Sequence, residues 1–182
     1  GVHAAYGSNT IFSGDITQIT VQTNGGRVLG VQNWNSEGAT INFTSDSTTI
    51  TAINSEDATT FTQGLLSYQS TTNFSGNTTF IVKGGVQTTY GVDVQCDPGL
   101  PYDTIVNFSG PQTSFDVTGT GNVYAVRPSG ATGYINFIGD YVSIKASSTD
   151  GEAAGIRAQY GATLRVDNPD ALLEITSTAP EE

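Results

Sequence analysis

The sequence has 182 residues, of which 36% are hydrophobic, so it can form one domain with a substantial core. Six Lys and Arg residues against 17 Asp and Glu residues give a formal net charge of −11. This excludes the basic surface that binding to nucleic acid or to an anionic membrane requires. Cys96 is the single cysteine, so the sequence has neither an internal disulfide nor a Cys-based metal site.

The first residues of the chain closely match a segment near its end. Residues 1–7 read GVHAAYG, and residues 155–161 read GIRAQYG. The match places the first residue in the middle of a repeat, and the chain contains no Met. We therefore expect a piece cut from a longer array. The sequence has no signal peptide and no apolar run of about 18 residues, so we expect no direct membrane insertion by this segment.

A short motif, an aromatic residue followed by turn-forming residues, recurs along the whole chain. Successive copies begin 29 to 34 positions apart, and their lead residues are Phe12, Phe43, Phe74, Phe108, Phe137 and the divergent Val166. A period near 30 residues that tolerates insertions is typical of a solenoid. The residue two positions before the aromatic, such as Ile41 or Val106, faces the same side of a strand. Each copy thus predicts a short strand that enters a tight turn, with the Phe side chains stacked in the core.

Two further strands can be placed in every repeat. One follows the Phe turn and carries alternating apolar residues, as at Ile19 and Val21. The other begins with a small residue and then an apolar one, as at Gly30 and Val31. Equivalent strands about 30 residues apart must pair in parallel with their successors. The sequence therefore predicts an all-β parallel β-helix over residues 1–182, with five to six coils of roughly 30 residues and three strands per coil.

The connections vary in length, as expected for loops on the flank of a solenoid, where insertions can carry binding. One long connection, residues 95–104, is rich in proline and contains three candidate contact residues, Asp97, Tyr102 and Asp103. A calcium ion needs six or more oxygen ligands, and two carboxylates do not supply them, so we expect no metal and no cofactor. Residues 178–182 predict a frayed acidic tail, because Pro180 ends a strand.

The strand that begins with the small residue predicts two groups of outward side chains. One is a column across the coils, formed by His3, Gln32, Leu66, Asp93, Arg127 and Arg157. We interpret Asp93 and the arginines as a surface ion pair, since no second carboxylate joins the column. With a single histidine, His3, no Ser-His-Asp triad can form away from the first coil. We therefore predict no catalytic residues.

The second group is the candidate binding site. Alternation along the same strand turns Trp34, Leu66 and Tyr68 outward on neighbouring coils, where an exposed aromatic patch would suit a protein or carbohydrate ligand. The alternative is that these side chains are covered by a loop. Four asparagines, Asn42, Asn73, Asn107 and Asn136, also align. They predict either a structural amide ladder or a row of amides presented to a glycan or to a second copy.

The phrase DGEAAGIRAQYGATL at residues 150–164 resembles the repeat unit of bacterial autotransporter passenger domains of the pertactin-like and large-adhesin kind. The resemblance implies a right-handed β-helix displayed on the bacterial cell surface, outside the outer membrane. It also implies roles in adhesion or self-aggregation, with a host or bacterial surface protein, a glycan or a second copy as partner. The long loop at residues 95–104 departs from the pattern.

Three functions are therefore open. The first is a non-catalytic segment of a surface adhesin, which would act through many weak contacts along a rigid rod. The second is a polysaccharide lyase or depolymerase, since enzymes of that shape combine clustered acidic calcium ligands with an Arg or Lys base. The third is a passive spacer stalk.

Overall fold

The structure, a computed structural model, describes residues 1–34, 38–97 and 99–180. These residues form a parallel β-solenoid of about six coils, with three strands per coil and roughly 31 residues per coil. The predicted fold class is confirmed, and the handedness of the coils stays a prediction. In the described part of the chain, no helix is long and apolar enough to cross a membrane.

Each coil contributes one strand to each of three six-stranded parallel sheets. Sheet 1 contains β1 (Val2–Ala4), β4 (Val28–Trp34), β7 (Thr62–Tyr68), β10 (Thr89–Gln95), β13 (Val123–Ser129) and β16 (Ala153–Ile156). Sheet 2 contains β2 (Asn9–Phe12), β5 (Thr40–Phe43), β8 (Thr71–Phe74), β11 (Thr104–Phe108), β14 (Gly133–Phe137) and β17 (Thr163–Val166). Sheet 3 contains β3 (Ile16–Gln22), β6 (Ser47–Ile53), β9 (Asn77–Lys83), β12 (Gln112–Gly119), β15 (Tyr141–Ser148) and β18 (Leu172–Thr178).

The recurring phenylalanines of sheet 2 form one continuous stack in the core, as predicted. Phe12, Phe43, Phe74, Phe108 and Phe137 are in register on consecutive coils. Their neighbouring ring centroids lie 4.6–5.2 Å apart with nearly parallel planes. This spacing follows the distance between adjacent strands, about 4.8 Å, so the coil repeat itself sets the aromatic contact.

A second, shorter aromatic column closes the core from sheet 3. Phe80 and Phe115 stack at 5.1 Å and meet the first column edge-on. The Phe74–Phe80 centroids, for example, lie 5.7 Å apart at 74°. Because the two columns interlock at right angles, each coil is held both to its neighbours and across its own interior.

The strands of sheet 1 bend around a column of small residues. Gly30, Gly64 and Gly91 are buried, and the apolar residue that follows each of them is part of the hydrophobic core. A Cβ at Gly64 would lie 2.6 Å from the Gly91 carbonyl oxygen and 2.9 Å from the Phe80 ring. The strands extend to both sides of this bend. The expectation that they start at the small residue is therefore wrong by about two positions: β4, for example, begins at Val28 and not at Gly30.

The aligned asparagines form the structural ladder on the outer face of sheet 2. The Nδ2 atoms of Asn73, Asn107 and Asn136 each donate to the Oδ1 atom of the asparagine one coil earlier, at 2.8 Å. Asn42 donates in the same way to Asn9 at 3.2 Å. The amides of the ladder are therefore largely engaged with one another, which favours the structural interpretation of this column over the binding one.

The two matching segments found in the sequence share one backbone turn. Tyr6 and Gly7 have φ values of 56° and 66°, and Tyr160 and Gly161 have values of 54° and 80°. This left-handed pair explains why both copies end in glycine. At the other end of the chain, β18 ends at Thr178, and residues 181–182 of the predicted tail lie outside the described residues.

Candidate ligand-binding face

The outer face of sheet 1 combines aromatic, amide and charged side chains. Three of the six basic residues of this acidic protein, Arg27, Arg127 and Arg157, lie on or beside it. Aromatic side chains occupy the same face on successive coils, and they are Trp34, Phe61, Tyr68, Tyr90 and Tyr124. Such a mixture is typical of binding surfaces, where aromatic and arginine side chains supply most of the contact energy.

Trp34 and Tyr68 form an aromatic pair at the predicted position, with Trp34 exposed and Tyr68 half-buried. They are in register on adjacent coils, and their rings stack with centroids 4.4 Å apart. Trp34 is 42% exposed. Partial burial raises the pKa of Tyr68, with smaller contributions from Asp97 and Cys96. The pair presents a flat apolar edge at one side of the face.

Leu66, the third residue of the predicted patch, is not exposed. It does lie in the predicted column, in register with Gln32 and Asp93, but it is only 1% exposed. The prediction of exposure is wrong because alternation fixes which side of a sheet a residue faces and does not determine what covers it. In β7, six of the seven residues are buried, so both faces of this strand are covered.

Asp93 is also buried, although we expected a surface ion pair. It is 1% exposed, and its Oδ2 atom accepts hydrogen bonds from the Nε2 atoms of Gln63, at 2.8 Å, and Gln95, at 2.7 Å. Its Oδ1 atom lies 3.7 Å from Arg127 Nε. Burial raises the pKa of Asp93, and the Arg127 charge and the two amides act in the opposite direction. The carboxyl group is therefore held in a poorly solvated site where small changes in its surroundings have large effects.

Arginine–tyrosine pairs recur on consecutive coils next to this carboxyl group. Arg127 Nη1 donates to the Tyr90 hydroxyl at 2.6 Å, and its guanidinium carbon lies 4.9 Å from the centre of the Tyr90 ring. One coil further, Arg157 lies 4.3 Å from the centre of the Tyr124 ring. Arg157 also pairs with Glu152 at 3.2 Å. These cation–π contacts hold both guanidinium groups against the aromatic side chains of the face.

A pocket of about 270 Å³ opens above Asp93. The described residues that line it are Arg27, Phe61, Gln63, Tyr90, Asp93, Gln95 and Arg127. Arg27 Nη2 donates to Gln63 Oε1 at 2.9 Å, which orients the Gln63 amide so that its nitrogen faces Asp93. Asp93 Oδ1 and Arg127 Nε are buried without a hydrogen-bond partner. Buried polar atoms are normally paired, whereas these two face each other at 3.7 Å, as an ion pair without a hydrogen bond.

The loop residues that the sequence proposes as contacts lie beside this face. Asp97 and Asp103 are exposed. The Asp97 carboxylate accepts from the Gly99 backbone nitrogen at 2.9 Å, which forms a local turn, and Gln69 Nε2 donates to the Asp97 carbonyl at 3.3 Å. Tyr102 is 41% exposed, and its ring packs on the backbone of Gly38. No group of three or more His, Cys, Asp or Glu side chains comes together among the described residues.

Most of the pocket residues escaped the sequence-based prediction. The expectation that these strands begin with a small residue leaves Gln63 and Tyr90 in the connections, because a glycine follows each of them. The structure places both residues inside strands β7 and β10. The signal in the sequence is the threonine two positions before each glycine, Thr62 in β7 and Thr89 in β10. These threonines continue the alternation of the strand on the other side of the bend.

Replacing Asp93 with Asn is expected to change how stability depends on pH. Between the ordinary pKa of 3.8 and the raised pKa of Asp93, the folded protein retains a proton that the unfolded chain releases. The wild-type free energy of unfolding should therefore fall as pH rises through this window, relative to D93N, whose side chain does not titrate. Guanidinium unfolding of both proteins from about pH 3 to about pH 8 measures the difference. A constant difference across this range would contradict a raised pKa.

A scan of the sequence against protein-family models found no matching family. The chain likewise matched no curated protein and no solved structure in the corresponding searches. What the face does must therefore be argued from its own side chains.

Proposed function

We propose that this protein is a non-catalytic β-helical binding segment of a bacterial surface adhesin of the autotransporter passenger type. The outer face of sheet 1 is its binding surface, and the solenoid core provides a rigid support for it. The observation that carries the proposal is the stacked and partly exposed pair of Trp34 and Tyr68 beside a polar pocket on the same sheet. The resemblance of residues 150–164 to passenger-domain repeats supports the surface localisation.

A glycan is the ligand class that fits this face best. Sugar rings offer apolar C–H faces that pack on aromatic rings, and hydroxyl groups that exchange hydrogen bonds with amides and carboxylates. Trp34 and Tyr68 supply the aromatic surface, while Gln63, Gln95 and Asp93 supply the polar groups. A surface protein of the host or of another bacterium, or a second copy of this chain, would use the same aromatic pair and would depend less on the pocket.

Replacing Trp34 or Tyr68 with alanine is expected to reduce binding to glycan arrays and to whole cells at least tenfold, because the stacked pair forms the main apolar contact. The matched control is Tyr141→Ala, which removes a half-buried tyrosine from sheet 3. That variant should bind as the wild type does. Unchanged binding after both substitutions on sheet 1 would instead favour a passive spacer stalk.

The enzyme alternative has one specific observation in its favour. Asp93 is a buried carboxyl group with a raised pKa at the base of a pocket, beside Arg127, and such groups often mark catalytic sites. A lyase or depolymerase would release unsaturated or shortened products from an acidic polysaccharide. Product formation by the wild type that is lost in D93N would replace the adhesin proposal with this one.

A further inference from the structure

We propose that the Asp93 pocket binds a carboxylate-bearing sugar residue, so that the ligand of this face is an acidic glycan. This inference rests on the proposed function, because it names the class of glycan that the outer face of sheet 1 recognises. It is carried by three properties of the pocket: its charge, its unpaired polar atoms, and its position next to the aromatic pair.

The pocket has a positive charge in a protein whose net charge is −11. Two arginines, Arg27 and Arg127, line it, whereas Asp93 is the single acidic residue among the described residues that do so. Arg157 on the same face already has a partner, Glu152. In the described part of the chain, Arg27 is exposed and donates to the neutral Gln63 without forming an ion pair. The local excess of positive charge therefore favours an anionic group at Arg27.

The base of the pocket requires a different chemical group. Asp93 Oδ1 needs a hydrogen-bond donor and Arg127 Nε needs an acceptor, yet the two atoms lie 3.7 Å apart, which is too long for a hydrogen bond between them. Both atoms are covered in this structure, so the Arg127 side chain, which is 17% exposed, has to move aside to admit a ligand hydroxyl. Because a hydroxyl group both donates and accepts, it would then satisfy both atoms. A simple anion has no donor for Asp93. The pocket thus combines a hydroxyl position at its base with an anion position at Arg27.

The size and apolar walls of the pocket suit a single sugar residue. Its volume of about 270 Å³ lies just below the range of about 300–1,000 Å³ that is usual for drug-sized ligands. Phe61, which is 44% exposed, and Tyr90 provide aromatic walls with ring centroids 6.2 Å apart. A sugar that carries both hydroxyls and a carboxylate, such as a uronic acid or a sialic acid, matches these walls and both polar positions.

The aromatic pair lies next to the pocket along sheet 1, so a longer glycan chain can reach both. Gln95, which lines the pocket, is in register with Tyr68, and Tyr68 is in register with Trp34. These three residues lie on consecutive coils about 4.8 Å apart. An acidic residue in the pocket would therefore place the next residues of a glycan chain over the rings of Tyr68 and Trp34.

The test is calorimetric titration of the folded protein with trigalacturonate and sialyllactose, each compared with its neutral methyl ester. We expect at least one acid to bind at least tenfold more tightly than its ester. Arg27→Gln should remove this preference, because the exposed guanidinium group supplies the charge. The matched control, Arg165→Gln, neutralises an exposed arginine of sheet 2 and should leave the preference unchanged.

Equal affinity for acid and ester, or a preference that persists in R27Q, would overturn the inference. Acetate that binds as tightly as the acidic sugars would also overturn it, because the hydroxyl position would then have no role. Failure of both acids to bind, combined with cell or array binding that still depends on Trp34, would reject the acidic sugar and leave the proposed function standing. If no binding to arrays or cells depended on Trp34, the proposed function itself would be rejected.

Discussion

Replacing Phe74 with alanine is expected to lower the free energy of unfolding by about 3–5 kcal/mol. Phe74 is fully buried and lies at the centre of the aromatic core. It stacks on Phe43 at 4.6 Å and on Phe108 at 5.0 Å, and it meets Phe80 edge-on. The substitution removes all three contacts and leaves a cavity that the neighbouring coils cannot fill, because their register fixes their spacing.

Guanidinium unfolding monitored by circular dichroism measures the effect. Phe12→Ala is the matched control, because Phe12 has the same role at the end of the column. It is only partly buried and has a single stacked neighbour, Phe43. We expect it to cost less than half as much as the central substitution. Equal losses at the two positions would contradict a contribution that depends on stacking from both sides.

The second large effect is expected at the bend of sheet 1. Replacing Gly64 with valine should destabilise the protein by about 3 kcal/mol or more, because even a Cβ atom would lie 2.6 Å from the Gly91 carbonyl oxygen and 2.9 Å from Phe80 and Val82. The backbone of the next coil cannot move away without breaking its own ladder. The free energy of unfolding and the yield of folded protein are the measurements.

Two further variants separate crowding at this bend from a general effect of substitution in a strand. Gly64→Ala should be less harmful than Gly64→Val, because Ala125 shows that a methyl group is accommodated in the same column two coils later. Ala125→Gly should cost only about 0.5–1 kcal/mol, the usual cost of glycine within a strand. A Gly64→Val protein as stable as the wild type would show that the coils can separate locally.

The fold was predictable because equivalent positions recur at nearly constant spacing. Once Phe43, Phe74 and Phe108 are recognised as equivalent, parallel pairing and a common core follow from the alternation of strands. The length of the sheet 1 strands was not predictable in the same way. Gly64 resembles a strand boundary in sequence, whereas in the structure it allows the strand to bend without ending.

The candidate site was predictable only in part, for a related reason. Alternation correctly turns Trp34 and Tyr68 outward, because that depends on the strand alone. The burial of Asp93 depends instead on side chains from the neighbouring coils, Gln63 and Arg127. Gln63 was assigned to a connection, so the amide that holds Asp93 was absent from the prediction. The alternation within one strand thus determines which way a side chain points, and the neighbouring coils determine how much of that side chain is exposed to solvent.

The asparagine ladder gives the solenoid a direction. Every amide from Asn42 to Asn136 donates towards the first coil, and each one up to Asn107 accepts from the coil that follows. The small dipoles therefore add along the axis, and each bond polarises the next. Arg165, which can only donate, stands in register after Asn136. The ladder consequently ends differently on its two sides: Asn9 keeps its amide donors in the first coil, whereas the last amide, Asn136, is followed by a residue that cannot accept.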